Sequence, residues 1–347
     1  MPVDGDVLAV NGLPDRPVLV VLRALGLGDL LTAVPALRAL AHAFPDHRRL
    51  LAAPAVLGPL ARLTGAVHAT VDTAPLAPLR PSLWGADVAV NLHGRGPQSH
   101  RVLLAARPRR LIAFAHPAVR CTRTSPPWPA EDHEVVRWCR LLAAHGIAAD
   151  PERLDLEASP VGPPAVGPAP ERRNATILHP GAASPARRWP ADRWGAVARA
   201  EAEQGRPVLV TAGPGEEGLA ASVVRAAGTA GGPGGPVNPA GPTDLLHLAA
   251  LVAAAERVVC GDTGVAHLAT AFGTPSVVLF GPTSPDRWGP PPGRTIHRAL
   301  WAGREGDPHG AEPDPGLLRI GVDVVVDALA ALPARGAAAG PRPEALR

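Results

Sequence analysis

The sequence predicts an α/β protein of two doubly wound, parallel-sheet (Rossmann-like) domains with a cleft between them. Three observations carry that expectation. Short runs rich in Val, Leu and Ile alternate with Ala-rich helical stretches along nearly the whole chain, the rhythm of strands covered on both faces by crossover helices. At 347 residues the chain is too long for one typical domain and suits two. Residues 158–172, "ASPVGPPAVGPAPER", hold Pro and Gly at a density that fits neither a helix nor a central strand, which puts an interdomain linker there.

In the first domain, residues 1–157, the apolar runs predict strands at 17–22, 48–53, 87–92 and 110–114. Between and after them, helices are expected at 29–43, 55–63, 97–106 and 132–145. The second domain, 173–332, restarts the alternation with strands at 174–179, 207–211, 256–260 and 275–279. Its helices are expected at 190–203, 216–227, 264–272 and 321–332, with another beginning near Thr243 or Asp244 as cap. The stretch 228–241, "GTAGGPGGPVNPAG", reads as a loop, and 333–347 as a disordered tail. No repeat of solenoid period is visible, and sheets of this kind bind ligands at the carboxyl ends of their strands.

Composition excludes several function classes. There is no tyrosine and no lysine, so the basic side chains are arginines scattered among acids; the formal net charge is only +3. With no basic stripe and no interleaved aromatics, a nucleic-acid partner is not expected. Cys121, Cys139 and Cys260 are odd in number and lack CxxC spacing, which argues against a disulfide framework or a zinc site and fits a reducing cytoplasm. The opening "MPVDGDVLAV" carries acids where a secretion signal would carry bases, and no apolar run reaches the roughly 20 residues of a membrane span. A peripheral contact with anionic lipid stays compatible with the charge.

Three motifs carry chemistry. In "VLVVLRALGLGDLLTAVPALRAL", residues 18–40, a strand runs through Gly26 and Gly28 into a helix opening on Asp29. A dinucleotide fingerprint fails here: its third glycine falls on Leu31, and the second strand ends in Ala52, Ala53 and Pro54 rather than an acid. Asp29 by itself is equally a first-turn acid favoured by the helix dipole or a carboxylate brought close to a ligand.

In "ILHPGAASPARRWPADRW", residues 177–194, Arg187 and Arg188 follow a small-residue turn at a strand end, a setting that suits a diphosphate better than a plain surface pair. In "RVVCGDTGVAHLATAFGTPSVVLFGPTSPDRWGP", residues 257–290, Asp262, Thr263 and Gly264 precede a helix whose free amides would form an anion site. Thr263 can cap that helix. His267 falls between its apolar positions, so a ligand contact is favoured over a packed side chain. Two weaker clusters remain open. His93, Gln98, Ser99 and His100 could meet sugar hydroxyls or simply start a helix, and Glu216 and Glu217 could hold a ribose diol or favour a first helical turn.

Taken in order, "RALGLGDLLTAVPALRAL", "HPGAASPARRWP", "GPGEEG" and "CGDTGVAHLATAFGTPSVVLFGPT" resemble glycosyltransferase family 9, the lipopolysaccharide heptosyltransferases and their relatives, over most of residues 17–330. The resemblance implies the two-domain GT-B fold, an acceptor-binding first domain and a second domain that binds a nucleoside-diphosphate sugar, usually ADP-heptose. It implies inverting transfer, without a metal, to a glycan, glycolipid or small-molecule acceptor; no other cofactor is expected, and a cytoplasmic monomer fits the chain.

By motif position Asp29 would be the catalytic base; Gly28, His93, Gln98 and Ser99, by their place in the first domain, are expected on the acceptor side. Arg187, beside Arg188, would replace a basic residue on the diphosphate that is often lysine in the family. Thr263 and Gly264 would bind phosphates, Asp262 and His267 would lie at the donor, and Glu217 would bind ribose. Ala24, Leu25 and Leu27 depart from the hydroxyl residues the family often has there, and segment 115–132 aligns with none of the quoted motifs. Two other readings keep the fold: a non-catalytic nucleotide-sugar-binding protein and a nucleotide-sugar 2-epimerase.

Overall fold

A computed structural model of the chain describes residues 16–156, 174–228, 237–240 and 243–335. The expected linker 158–172, the opening "MPVDGDVLAV", most of the loop 228–241 and the tail from 336 onward lie outside the described residues. The chain divides into two compact units, Met1–Glu157 and Ala158–Arg347.

The first unit is a five-stranded, all-parallel sheet. Its strands are β1 (Val18–Leu22), β2 (Arg48–Ala53), β3 (Ala69–Asp72), β4 (Val88–Asn91) and β5 (Arg110–Ile112), in the order β3-β2-β1-β4-β5. Central β1 is apolar throughout because both of its faces are covered, and Val20 pairs with Leu50 on one side and Ala89 on the other. The chain builds outward from β1 to β3 and then crosses back to β4, so the order reverses between β1 and β4. Ligands of such sheets enter the crevice outside the strand ends at that point, here at the segments following Leu22 and Asn91.

The helices are α1 (Leu27–Thr32), α2 (Val34–Ala43), α3 (Gly58–Arg62), α4 (Gln98–Ala105) and α5 (Glu134–Ala143). The single helix expected over 29–43 is thus two, starting at Leu27 and broken at Ala33. Pro35 has no N–H to offer the Leu31 carbonyl and its ring crowds that turn, so the Ala33 N–H closes on Leu30 O at 3.1 Å instead. His133 caps α5, its ring accepting from the Val135 N–H at 3.2 Å.

The second unit is a six-stranded, all-parallel sheet in the order β11-β10-β9-β6-β7-β8. Its strands are β6 (Thr176–His179), β7 (Val208–Val210), β8 (Val237–Pro239), β9 (Arg257–Gly261), β10 (Ser276–Phe280) and β11 (His297–Trp301). Here the order reverses between β6 and β9. The helices are α6 (Ala191–Glu203), α7 (Glu217–Ala227), α8 (Leu245–Ala254), α9 (Gly264–Ala271), α10 (Pro285–Trp288), α11 (Pro315–Leu318) and α12 (Val322–Ala330). Asp244, not Thr243, caps α8 through its side chain, accepting from the His247 N–H at 2.7 Å. The core gathers Leu178, Val197, Val210, Val259, Val277 and Leu329 around Trp189 and Trp194, whose rings meet edge to face at 5.2 Å.

Candidate functional site

Each unit brings its chemistry to its own reversal point. In the first unit, Arg23 directly follows β1 and is almost wholly buried. Its Nε donates to Asp29 O at 2.9 Å and its Nη1 to Leu92 O. Its Nη2 is shared by Asp29 Oδ1 at 3.2 Å, Thr32 Oγ1 at 3.2 Å and Glu134 Oε1 at 2.9 Å. The guanidinium lies over the Trp138 ring, 5.0 Å from its centroid.

Asp29 stands at the third position of α1, and its Oδ2 accepts the Gly26 N–H at 3.2 Å, so the carboxylate does close its own helix start. That use does not exhaust it, since 27% of the side chain remains accessible. The helix amino end alone would make the carboxylate a weak base, but burial overrides it. Desolvation raises the Asp29 carboxyl above its ordinary value, Arg23 opposes the rise, and Glu134 adds to it.

The other first-unit candidates divide. His93 follows β4, its Nδ1 buried without a hydrogen-bond partner among the described residues; burial and then Arg23 push the imidazole down to about 4, so it is neutral at pH 7. Gly28 is half-buried in the first turn of α1, and Gln98 is exposed. Ser99 is buried and its Oγ accepts from Asn91 Nδ2 at 3.0 Å. His100, fully buried, donates through Nε2 to Phe114 O at 2.8 Å. Ser99 and His100 therefore serve the loop after β4.

In the second unit, the turn after β6 and the turn after β9 meet. Arg187 donates from Nη1 to Asp262 O at 3.1 Å, with Asp262 Oδ2 at 3.9 Å from the same nitrogen. Its Nε is buried with no partner among the described residues. Gly261 permits this approach, since a β-carbon there would lie 3.1 Å from Arg187 O. Asp262 is pushed up to about 6 by burial, against the pull of Arg187.

Thr263 takes the cap position of α9 with extended backbone, yet its side chain makes no capping hydrogen bond. The expected side-chain cap is thus absent. Its Oγ1 is buried and bonds no nitrogen or oxygen among the described residues, lying beside the Cys260 thiol. The amides of Thr263, Gly264 and Val265 precede any intrahelical acceptor, the arrangement that receives anions at a helix start. His267, half-buried on α9, meets the edge of Trp288 at 6.1 Å.

Arg188 reaches Ala182 O at 2.9 Å and Glu216 Oε1 at 3.3 Å. Glu216 also accepts the Gly213 N–H at 3.0 Å and packs so closely on Gly181 that a β-carbon there would overlap its carboxylate. Glu217 is exposed and bonds the Gly215 N–H at 3.2 Å, so the carboxylate turned inward is its neighbour. Among the described residues no group of three or more His, Cys, Asp or Glu side chains is placed to hold a metal ion.

Sequence reasoning missed Arg23, Glu134, Arg137 and Trp138. The one available signal was Arg23 itself, a lone charge between an apolar strand and a glycine turn, where solvation is poor and a partner is needed. That partner stands 111 residues away.

Comparisons with known proteins bear on the family and the fold. A model of glycosyltransferase family 9 (heptosyltransferase) matches residues 115–307. Lipopolysaccharide heptosyltransferase 2 of Escherichia coli (strain K12) is 35% identical over 102 residues, a stretch spanning 29% of this chain and 29% of that relative. Among solved structures, E. coli ADP-heptose lps heptosyltransferase II matches with a TM-score of 0.73 at 21% identity, over 90% of this chain and 98% of the other. A family 9 glycosyl transferase from Veillonella parvula DSM 2008 gives 0.72 at 19% identity, over 92% and 97%. These likenesses establish the GT-B fold class.

Proposed function

Because the chain belongs to glycosyltransferase family 9, whose model covers more than half its length, we propose that it is an inverting glycosyltransferase. It moves a heptose-like sugar from a nucleoside-diphosphate donor, ADP-heptose, to a hydroxyl of a glycan, glycolipid or small-molecule acceptor.

The acceptor oxygen attacks the anomeric carbon as the bond from that carbon to the diphosphate breaks, and the electron pair leaves with the diphosphate. A single displacement inverts the centre. Asp29 takes the hydroxyl proton, and its raised proton affinity brings it nearer the range where a general base is effective. Arg187 and the amides opening α9 neutralise the charge growing on the diphosphate, so the step is metal-independent in this reading. Asp262 and His267 lie at the donor, and His93 lies on the acceptor side. We assign the work to a cytoplasmic monomer; among the described residues no helix is long and apolar enough to cross a membrane.

The observation that carries the proposal is the division of chemistry between the two reversal points: an accessible, basic carboxylate in one unit, and an arginine beside a bare helix start in the other. The test is turnover with ADP-heptose. Asp29→Asn is expected to lower turnover by roughly 10²-fold with donor KM little changed. Near-normal turnover would retire Asp29 as the base.

A further inference from the structure

The cluster behind Asp29 is larger than a helix cap requires. Glu134 accepts not only from Arg23 but from Trp138 Nε1 at 2.8 Å and from Arg137 Nη1. Arg137 is held in turn by the carbonyls of Pro129, Ala130 and Asp132 at 3.2, 3.1 and 2.8 Å, and lies 4.6 Å over the Trp128 ring. Arg23, Glu134 and Arg137 are all at least nine-tenths buried. Apolar side chains would tie α5 to β1 with no desolvation cost, so a buried ionic chain of this kind calls for a reason beyond stability.

We propose that Arg23 and Glu134 are positioning residues for the Asp29 carboxylate: Arg23 aims it, and Glu134 offsets the Arg23 charge so that Asp29 can still accept a proton. The inference rests on reading Asp29 as the base. An arginine paired with Asp29 alone would hold the carboxylate ionised and weaken it. Glu134 changes that balance because it sits closer to the shared nitrogen, 2.9 Å against 3.2 Å.

The titratable and charged groups of the cluster around Asp29 come from several elements. Arg23, just after β1, and Glu134 on α5 act on the Asp29 carboxyl; the Thr32 hydroxyl on α1 bonds Asp29 O and Arg23, His93 after β4 feels the Arg23 charge, and Arg137 on α5 bonds Glu134. With His93 neutral, the ionic members are two arginines and two carboxylates. Asp132, two residues before α5, is engaged by Arg140 at 2.8 Å. Glu134→Gln leaves the cluster with one uncompensated positive charge beside the base.

The test follows the Asp29 carboxyl directly, in protein labelled with ¹³C at the aspartate carboxyl and with the signal identified by its loss in Asp29→Asn. Glu134→Gln is expected to increase Asp29 acidity about tenfold. The acidic limb of kcat/KM should move to lower pH by the same amount while donor KM holds. Arg23→Lys keeps the charge without the fork and should reduce kcat with a smaller move of that limb.

If Glu134→Gln does not fold, Glu134→Asp keeps the charge but withdraws it by one methylene, and should give a smaller change in the same direction. An Asp29 titration unmoved by either Glu134 variant overturns the proposal, even where Asp29→Asn is inactive. A near-normal Asp29→Asn instead removes the base, and with it the role claimed for both positioning residues, whatever the titration shows.

Discussion

Asp262 shows how burial decides the behaviour of a single group. Its carboxyl is 7% exposed and pushed up to about 6, so the fold prefers it protonated. The stability linked to it is complete below the unfolded value of 3.8 and is lost as pH rises through about 6. The loss is on the order of 3 kcal/mol. Buried His179 and His297, pushed down to about 4, pull the other way over part of this interval, so wild-type melts alone are ambiguous. Asp262→Asn isolates the carboxyl: its melting temperature relative to wild type should rise as pH goes from about 4 to about 7. A difference that is constant with pH would show the carboxyl ionising freely. Arg187, Asp262 and Thr263 were legible in the sequence because a turn at a strand end announces itself locally. The basicity of Asp29 was not, because helix-end logic favours the ionised form while the opposing burial comes from distant elements.

Among elements, the strands that escaped sequence reading are β3, β8 and β11, and each is a sheet edge. Central β1 is covered on both faces and spells an unbroken apolar run. An edge strand has less to bury and admits residues that blur the pattern. β8 even ends in Pro239, tolerated because an edge need not donate at every position. Helix packing was equally hidden at Gly195 in α6, where a β-carbon would come within 2.5 Å of Ala226 Cβ and 2.7 Å of Ala226 C on α7. Gly195→Ala should therefore destabilise by about 1–3 kcal/mol, although alanine gains up to about 1 kcal/mol of intrinsic helix preference. Chemical denaturation measures the sign, and an increase in stability would show that α6 and α7 can separate without cost.

For the molecule as a whole, the fold class was readable because two cores leave two independent series of strands and helices in one chain, each with its own reversal point. The proposed roles inherit that independence. ADP should raise the melting temperature through the second unit, with stabilisation of about 2.7 kcal/mol at a hundredfold excess over Kd. Arg187→Ala should abolish most of that rise at the same ADP concentration, while Asp29→Asn keeps it. Loss of the rise in Asp29→Asn would mean that nucleotide affinity is not a property of the second unit alone. The indoles are divided in the same way: Trp128 and Trp138 meet at 5.8 Å in the first unit, and Trp189 and Trp194 at 5.2 Å in the second, each pair steeply inclined. Coupled transitions in such pairs generate near-ultraviolet circular dichroism, giving each half of the chain an optical signature of its own and letting a heated sample reveal which half loosens first.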